Sequence, residues 1–498
     1  MKKKCLFLGI LCFLSLSMVL PVYSWQGRMA GMGDPYGLVE DESDFLIFPA
    51  KITQGQGVKF YGNYRFTYTD VTDWDYNLNQ LTTAGTLTDF FHFNGSGQEY
   101  KHNALIGAGF PLGPGRMGIF FTYDGMRGSY DGNEDRLATT NYAKYDLTHN
   151  LNNFALRLLY GFPSGDFKLG GEFQLAYRQE ENRNSMPGYL NYTLGTNIPA
   201  RNLTPFQLPY DSTYWEALFK GSLERKVGPL DLEFALRGGF IFGGNNNFRL
   251  TQTTIIVDDD SGGVDGWCIG GDLWTRYLLA TDLTLPFLVR VDYQEKNRDG
   301  LALRPDSATY SYPYDSHEKN LYLETGGGVD KDLNNGTRIA AGVFYNYLHG
   351  EYDFKLKEMS GVTVGQIWDH KNYPDSTEHQ VMLRLAGEHE FSPMVTMRMG
   401  LNFFYGWVKD YFKFAYTTSY IDDITPDGYH WGIGASLGGT IKISPITLEP
   451  FINGGWQKLD LKGDGERISS SGAISNLWEM DKLRKEWSIG GGFSIKFN

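Results

Sequence analysis

The chain has 498 residues, with 61 Gly, 11 Trp, 32 Tyr and 33 Phe, and a formal net charge of −13. Gly and aromatics in this excess suit neither a helical protein nor a disordered one, and the acidic balance excludes general nucleic-acid binding, which needs a basic face. A mean hydropathy of −0.35 excludes a protein built from long apolar helices but not one that crosses a membrane with strands.

Residues 1–24 read as an export signal. Lys2, Lys3 and Lys4 precede an apolar run from Cys5 to Leu20, and Val22 and Ser24 provide the small residues that suit cleavage before Trp25. Cleavage would remove Cys5 and Cys12, leave Cys268 without an internal disulfide partner, and bring the formal charge to −16 by taking three lysines away.

Residues 25–54 do not alternate. They are Gly-rich, then acidic, then end in a short apolar piece. Preceding the first strand, they are expected either to enter a lumen as a plug or to hang below it.

From Val58 onwards the periodicity is two. Phe60, Gly62, Tyr64 and Phe66 oppose Lys59, Asn63, Arg65 and Thr67; Phe234, Leu236, Phe240 and Phe242 oppose Glu233, Arg237 and Gly239. Met397, Met399, Leu401, Phe403 and Trp407 oppose Arg398, Gly400 and Asn402. The final run sets Trp487, Ile489, Phe493, Ile495 and Phe497 against Ser488, Gly490, Ser494 and Lys496. Such two-faced runs are strands. With one greasy and one polar face, and lengths of ten residues or more, they are what a lipid-facing barrel requires, because lipid cannot hydrogen-bond an open sheet edge.

The connections are asymmetric. Short turns, most of them with Pro or Gly, occur at Phe110–Gly115, Phe162–Asp166, Val227–Pro229, Ala280–Asp282, Asn334–Gly336, Phe391–Pro393 and Ser444-Pro445, roughly 50 to 65 residues apart. Between them lie long polar stretches, expected as external loops: 70–97, 130–146, 180–211, 245–265, 297–316, 353–376, 410–428 and 460–483. The expectation is therefore an all-β fold, a transmembrane antiparallel β-barrel of about sixteen strands (fourteen to eighteen) over residues 55–498, with both ends on the short-turn side. Phe110, Phe162 and Phe391 fall where an inner aromatic girdle would lie, and Trp215, Trp267, Trp407, Trp431 and Trp456 where an outer one would.

With the barrel in view, the segment before it resembles the mature N-termini of the outer-membrane fatty-acid and aromatic-hydrocarbon transporters, the FadL family. Met29-Ala30-Gly31-Met32-Gly33, then Glu40–Asp44, then Pro49-Ala50 follow the order of that family's inward-folded hatch. Phe48 stands where the family has Asn, and sixteen strands exceed its fourteen. The resemblance implies a hatch involving Met29, Met32, Asp41, Asp44, Phe48 and Pro49, and transport of hydrophobic molecules.

Alternation assigns to the lumen Arg157, Glu172, Arg178, Lys220, Glu233, Arg237, Asp272, Arg276, Arg290, Asp292, Glu324, Arg384, Glu388, Arg398 and Glu449. Charges of both signs on neighbouring strands either brace the wall as ion pairs or form a constriction whose field selects solutes, with Arg157, Glu172, Arg237, Arg276, Arg290, Arg384 and Arg398 as candidates. Asp258, Asp259, Asp260 and Asp265 in a Gly-containing stretch admit a calcium reading, against that of a solvated acidic loop. Enzymatic motifs are lacking: there is no Gly-x-Ser-x-Gly and no HExxH, and Asp369-His370 is an isolated pair. The expected protein is a non-enzymatic outer-membrane channel of a Gram-negative-type bacterium, with periplasmic termini and no cofactor. Its partners would be membrane lipid and lipopolysaccharide, the barrel assembly machinery and a small-molecule solute. A porin for hydrophilic solutes and an adhesive surface barrel are the competing readings.

Overall fold

The computed structural model describes residues 27–33, 37–136, 139–185, 210–252, 255–303, 311–356, 372–415, 420–469 and 471–497. The export signal expected at 1–24 and the pair Asp369-His370 lie outside the described residues.

A short helix α1 (Gly27–Gly31) and two 3₁₀ turns (Glu42–Leu46 and Pro49–Gln54) precede the strands. These are β1 (Lys59–Thr82), β2 (Leu87–Leu112), β3 (Gly115–Arg136), β4 (Thr139–Ser164), β5 (Phe167–Ser185), β6 (Tyr210–Val227), β7 (Leu230–Gln252), β8 (Ile255–Gly262) and β9 (Val264–Ala280). They continue with β10 (Leu283–Leu303), β11 (Ser311–Asp332), β12 (Thr337–Leu356), β13 (Asn372–Ser392), β14 (Val395–Ala415), β15 (Tyr420–Ile443), β16 (Ile446–Ser469) and β17 (Ile474–Phe497).

All pairings are antiparallel between chain neighbours, except that β8 folds onto the far end of β7 while β7 pairs directly with β9. The ring closes where β1 pairs with β17, Phe60 opposite Phe497, so sixteen strands form a closed barrel and β8 extends one of its hairpins. Closure leaves no edge strand within the ring, the condition lipid imposes on a sheet. Both ends of the sheet therefore sit at the rim carrying the seven short turns. Positive φ at Gly113 (58°), Gly165 (61°) and Gly228 (60°) shows why those turns use glycine.

The alternation maps onto the two faces of the wall. Phe60, Phe121, Leu236, Phe240, Met399, Leu401, Trp407 and Phe493 are exposed on the outside, while Glu233, Arg237, Arg398 and Ser494 are buried on the inside. From Val395 to Trp407 the outward side chains of β14 cover roughly 30 Å along the barrel axis, from a strand rise of ~3.3 Å and a tilt of ~40°. That matches a bilayer core. Aromatics flank the band: Tyr160 stacks on Phe162 (5.9 Å) towards the short turns, and Tyr177–Trp215, Trp267–Tyr293 and Trp431–Trp456 pair towards the other rim.

The expected long loops require correction. β1 continues to Thr82 and β2 resumes at Leu87, β3 and β4 are separated by two residues, and β16 reaches Ser469 before β17 begins at Ile474. The sixteen ring strands, 17–26 residues long, exceed the ~9–11 needed to span a bilayer, and the surplus rises beyond it as continuous sheet. There both faces meet water, so the greasy alternation fades and the sequence looks like loop. The backbone goes on pairing because each strand still has a neighbour on both sides.

Candidate functional site

Strand parity carries the charged side chains inward, and register sets them against each other. On β4–β6, Arg157 Nε donates to Glu172 Oε1 at 2.6 Å and Lys220 Nζ lies 3.3 Å from Glu172 Oε2. On β7, β9 and β10, Arg237 bridges Asp272 and Asp292, and Arg290 Nε donates to Asp272 at 2.6 Å. Arg384 reaches Glu324 at 2.7 Å, and Arg398 reaches Glu388 at 2.7 Å. The remaining candidate, Arg276, leaves the wall and reaches Glu40 of the N-terminal segment at 2.5 Å. All seven candidates are thus engaged as pairs. Desolvating charges costs about as much as pairing returns, so these contacts fix geometry more than they stabilise.

The N-terminal segment is built by local chemistry before it meets the wall. Asp41 caps the first 3₁₀ turn by accepting from Ser43 N at 2.9 Å, and Asp44 Oδ2 accepts from Asp41 N at 3.0 Å, a reciprocal capping box. Pro49 opens the second turn, where its missing N–H is no loss. The large apolar side chains among the described residues of the segment then pack on the wall. Met29, Met32, Leu38 and Val39 pack on Leu288, Ala340, Phe344 and Ala386. Phe45, Leu46 and Ile52 pack on Tyr61, Leu105, Phe120 and Leu159, and Ile47 and Phe48 on Ala235 and Trp274. At roughly 1.5–3 kcal/mol for each fully buried large side chain, this apolar set supplies most of the holding energy.

Backbone groups of the segment are satisfied by the wall. Arg157 Nη2 and Lys220 Nζ both donate to Leu46 O at 2.8 Å, Trp274 Nε1 donates to Gly37 O at 3.0 Å, and Ser222 Oγ accepts from Ala50 N at 2.7 Å. Lys51 Nζ sits among Glu40 (2.9 Å), Asp44 (3.3 Å) and Glu233 (2.9 Å), and Arg28 reaches Glu388 at 3.1 Å. Glu42 accepts from Lys59 at 2.7 Å and from Tyr61 at 3.0 Å. Burial by itself would raise the Glu40 carboxyl, but Arg276 and Lys51 outweigh it and bring the group down to about 2. Asp41 and Glu42 are likewise lowered against their burial, both by Lys496 first, whereas Asp44 is raised because its burial dominates.

Described residues of the segment touch opposite walls of the barrel. A side chain added at Gly400 of β14 would collide with Met32 O at 1.9 Å, and one at Gly170 of β5 with Ala50 N at 2.1 Å. α1 lies against β14–β17, strands that help line two cavities, one reaching also to β11–β13 and the other to β1 and β2. Towards the short turns, a cavity of about 640 Å³ is lined by Arg28, Arg398, Thr440, Glu449 and Lys496. Beyond Gly33, a cavity of about 310 Å³ is lined by Asn402, Ser436, Asn453, Gln457 and Ser488.

The sequence-expected residues thus fall into two groups. Met29, Met32, Phe48 and Pro49 meet the wall from the segment, Asp41 and Asp44 bond within it, to Arg28, Ser43 and Lys51, and the arginines and Glu172 form the wall itself. Arg28, Lys51 and Trp274 are not among the residues the sequence points to, and Glu40 and Glu42 enter only as part of the acidic run Glu40–Asp44. Trp274 was legible by parity, since it shares its face with Asp272 and Arg276. Asp258–Asp260 lie not in a loop but in β8, with Asp259 opposite Phe248 and Asp258 opposite Arg249. Asp265 accepts from Asn297 at 2.7 Å. Among the described residues, no group of three or more His, Cys, Asp or Glu side chains is placed to hold a metal ion.

No protein family matches the chain, and no curated relative matches it. Solved structures do. A TodX monoaromatic hydrocarbon channel lacking S2 and S3 aligns over 96% of this chain and 99% of its own, at 11% identity and a TM-score of 0.45. A Pseudomonas aeruginosa FadL homologue aligns over 95% and 98%, at 10% identity and TM-score 0.43. The P. putida toluene transporter TodX aligns over 96% and 99%, at 11% identity and TM-score 0.39.

Proposed function

We propose that this chain is an outer-membrane channel for small hydrophobic or amphipathic molecules, with residues 25–54 acting as a hatch across its lumen. The observation that supports this reading is contact with opposite walls: described residues of the segment touch β5, β9 through Trp274, and β14, and α1 lies against strands that help line both cavities. A solute would enter from the long-strand rim, wait above Gly33, and pass when α1 leaves β14–β17, towards a short-turn rim that faces the periplasm with both termini. A polar wall on both sides of α1 favours a second reading, a porin for hydrophilic solutes.

Deleting residues 26–50 and recording single-channel conductance tests the hatch. Conductance rises several-fold if the segment occludes the path; an unchanged value ends the hatch reading. Swelling of proteoliposomes containing the intact chain separates the two readings. Unselective swelling across small sugars and amino acids favours the porin.

A further inference from the structure

On the lipid-facing side of the wall, close to the short-turn rim, two neighbouring strands present no side chain at the same level. Gly171 on β5 and Gly221 on β6 are register partners. Their chain neighbours Glu172 and Lys220 are buried on the inside, so both glycines face outwards. Among the described residues a Cβ at Gly171 would meet only Lys220 O, at 3.9 Å, and one at Gly221 would meet nothing within 4 Å. Gly170, on the inner face, makes room for Ala50; Gly171 and Gly221 make room for no described residue of the chain. Glycine weakens a strand interior and often marks the close approach of a ligand. Phe173 and Phe219, with ring centroids 5.1 Å apart, close the bare level on the side away from the rim, and Leu169 and Leu223 close it towards the rim. Beside Gly171 the hollow deepens into an apolar groove of about 440 Å³ between Met117, Leu158, Tyr160 and Phe162, a volume in the range of ligand pockets.

We infer that this groove is a binding site for one phospholipid, with an acyl chain laid over Gly171 and Gly221 and the phosphate at Arg225. Arg225 follows Gly221 by four residues on β6, roughly 13 Å at ~3.3 Å per residue, and shares its outward face near the rim. Its neighbours Lys168 and Lys226 are held by Glu224 (2.5 Å) and Asp231 (3.5 Å). Arg225 has no carboxylate partner among the described residues: its guanidinium lies 4.6 Å over the Phe167 ring, and its Nε has no hydrogen-bond acceptor. An arginine so placed matches a phosphate at headgroup level, and one such cation fits the single phosphodiester of a phospholipid better than a multiply phosphorylated lipid. The groove opens on the lipid side, where acyl chains are the apolar molecules at hand. The inference rests on the barrel wall and not on the hatch.

Native mass spectrometry of the full chain in detergent, titrated with dioleoyl-phosphatidylglycerol, tests it. Saturable retention of one lipid is expected. Gly171→Val combined with Gly221→Leu fills the groove without a clash against described residues, and should weaken retention roughly tenfold, as the loss of two buried methylenes would. Arg225→Gln should weaken it several-fold, Arg225→Lys should restore part of the loss, and dioleoylglycerol, which lacks the phosphate, should bind weakly and ignore both changes at Arg225. Met399→Leu, on the lipid face eight strands away, serves as the control, and heat-modifiable gel mobility confirms that each variant is folded. Absence of a saturable one-lipid species, retention indifferent to groove filling, or an equal loss in Met399→Leu would overturn the inference. So would a dimer of the parent chain that groove filling abolishes, since the occupant would then be a second barrel.

Discussion

Gly170 on β5 and Gly400 on β14 stand eight strands apart in a ring of sixteen, and each yields the space of a side chain to the same N-terminal segment. A Cβ would fall 2.1 Å from Ala50 N at one wall and 1.9 Å from Met32 O at the other. Neither clash involves a flexible side-chain tip, so neither can be relieved without moving backbone. The two glycines therefore measure how firmly the segment is seated at each end.

Gly400→Val is expected to dislodge α1 and join the two cavities, raising single-channel conductance, while Gly170→Val dislodges the second 3₁₀ turn. If both variants conduct like the parent while remaining heat-modifiable, the seating has no bearing on permeation. β-branched residues suit a strand, so the barrel itself tolerates either change.

Trp274 is fully buried, stacks near Phe48 with ring centroids 6.0 Å apart, and donates to Gly37 O. Trp274→Ala removes about 3–5 kcal/mol from segment docking, because the hole forms between wall and segment. Trypsin cleavage after Lys51, a residue buried in the parent, reports the docking. Cleavage should accelerate at least tenfold, and an unchanged rate would show that the segment is held elsewhere.

Acid should loosen the segment. The Glu40 carboxyl is held at about 2, below its ordinary value of ~4.5, so its contribution to docking is complete above that ordinary value and is lost as pH falls through about 2. Asp41 and Glu42 act in the same direction; Asp44, raised by burial, acts in the opposite one. With three carboxyls against one, conductance is expected to climb as pH falls from about 4.5 towards 2, and Glu40→Gln should shrink that climb. A flat profile over this range would contradict the electrostatic account.

On the outside of the wall, Leu401 is half exposed in the middle of the apolar band. Leu401→Arg should cost about 2–4 kcal/mol, as for a cation at the bilayer midplane, measured by reversible unfolding in lipid vesicles. The inward neighbour Asn402 changed to Asp should leave that stability within about 1 kcal/mol, because its side chain faces the lumen rather than lipid.

Sequence by itself determined the wall. Alternation is a local property: each strand must show lipid one face whatever its neighbours are, so Met397–Trp407 and Trp487–Phe497 declare their outward side residue by residue, and Pro/Gly turns mark where the chain reverses. It also set the inward parity of Arg157, Arg237 and Arg398. Beyond the bilayer that constraint vanishes, which is why the extension of β1 to Thr82 and the β8 hairpin were not legible. Only the tertiary structure decided which inward residues meet across the lumen. Lys51 with Glu233, Arg276 with Glu40 and Gly400 with Met32 are separated by hundreds of residues and obey no period. They arise from ring closure, which brings β14 and β5 to opposite sides of one segment and leaves space beside only part of it.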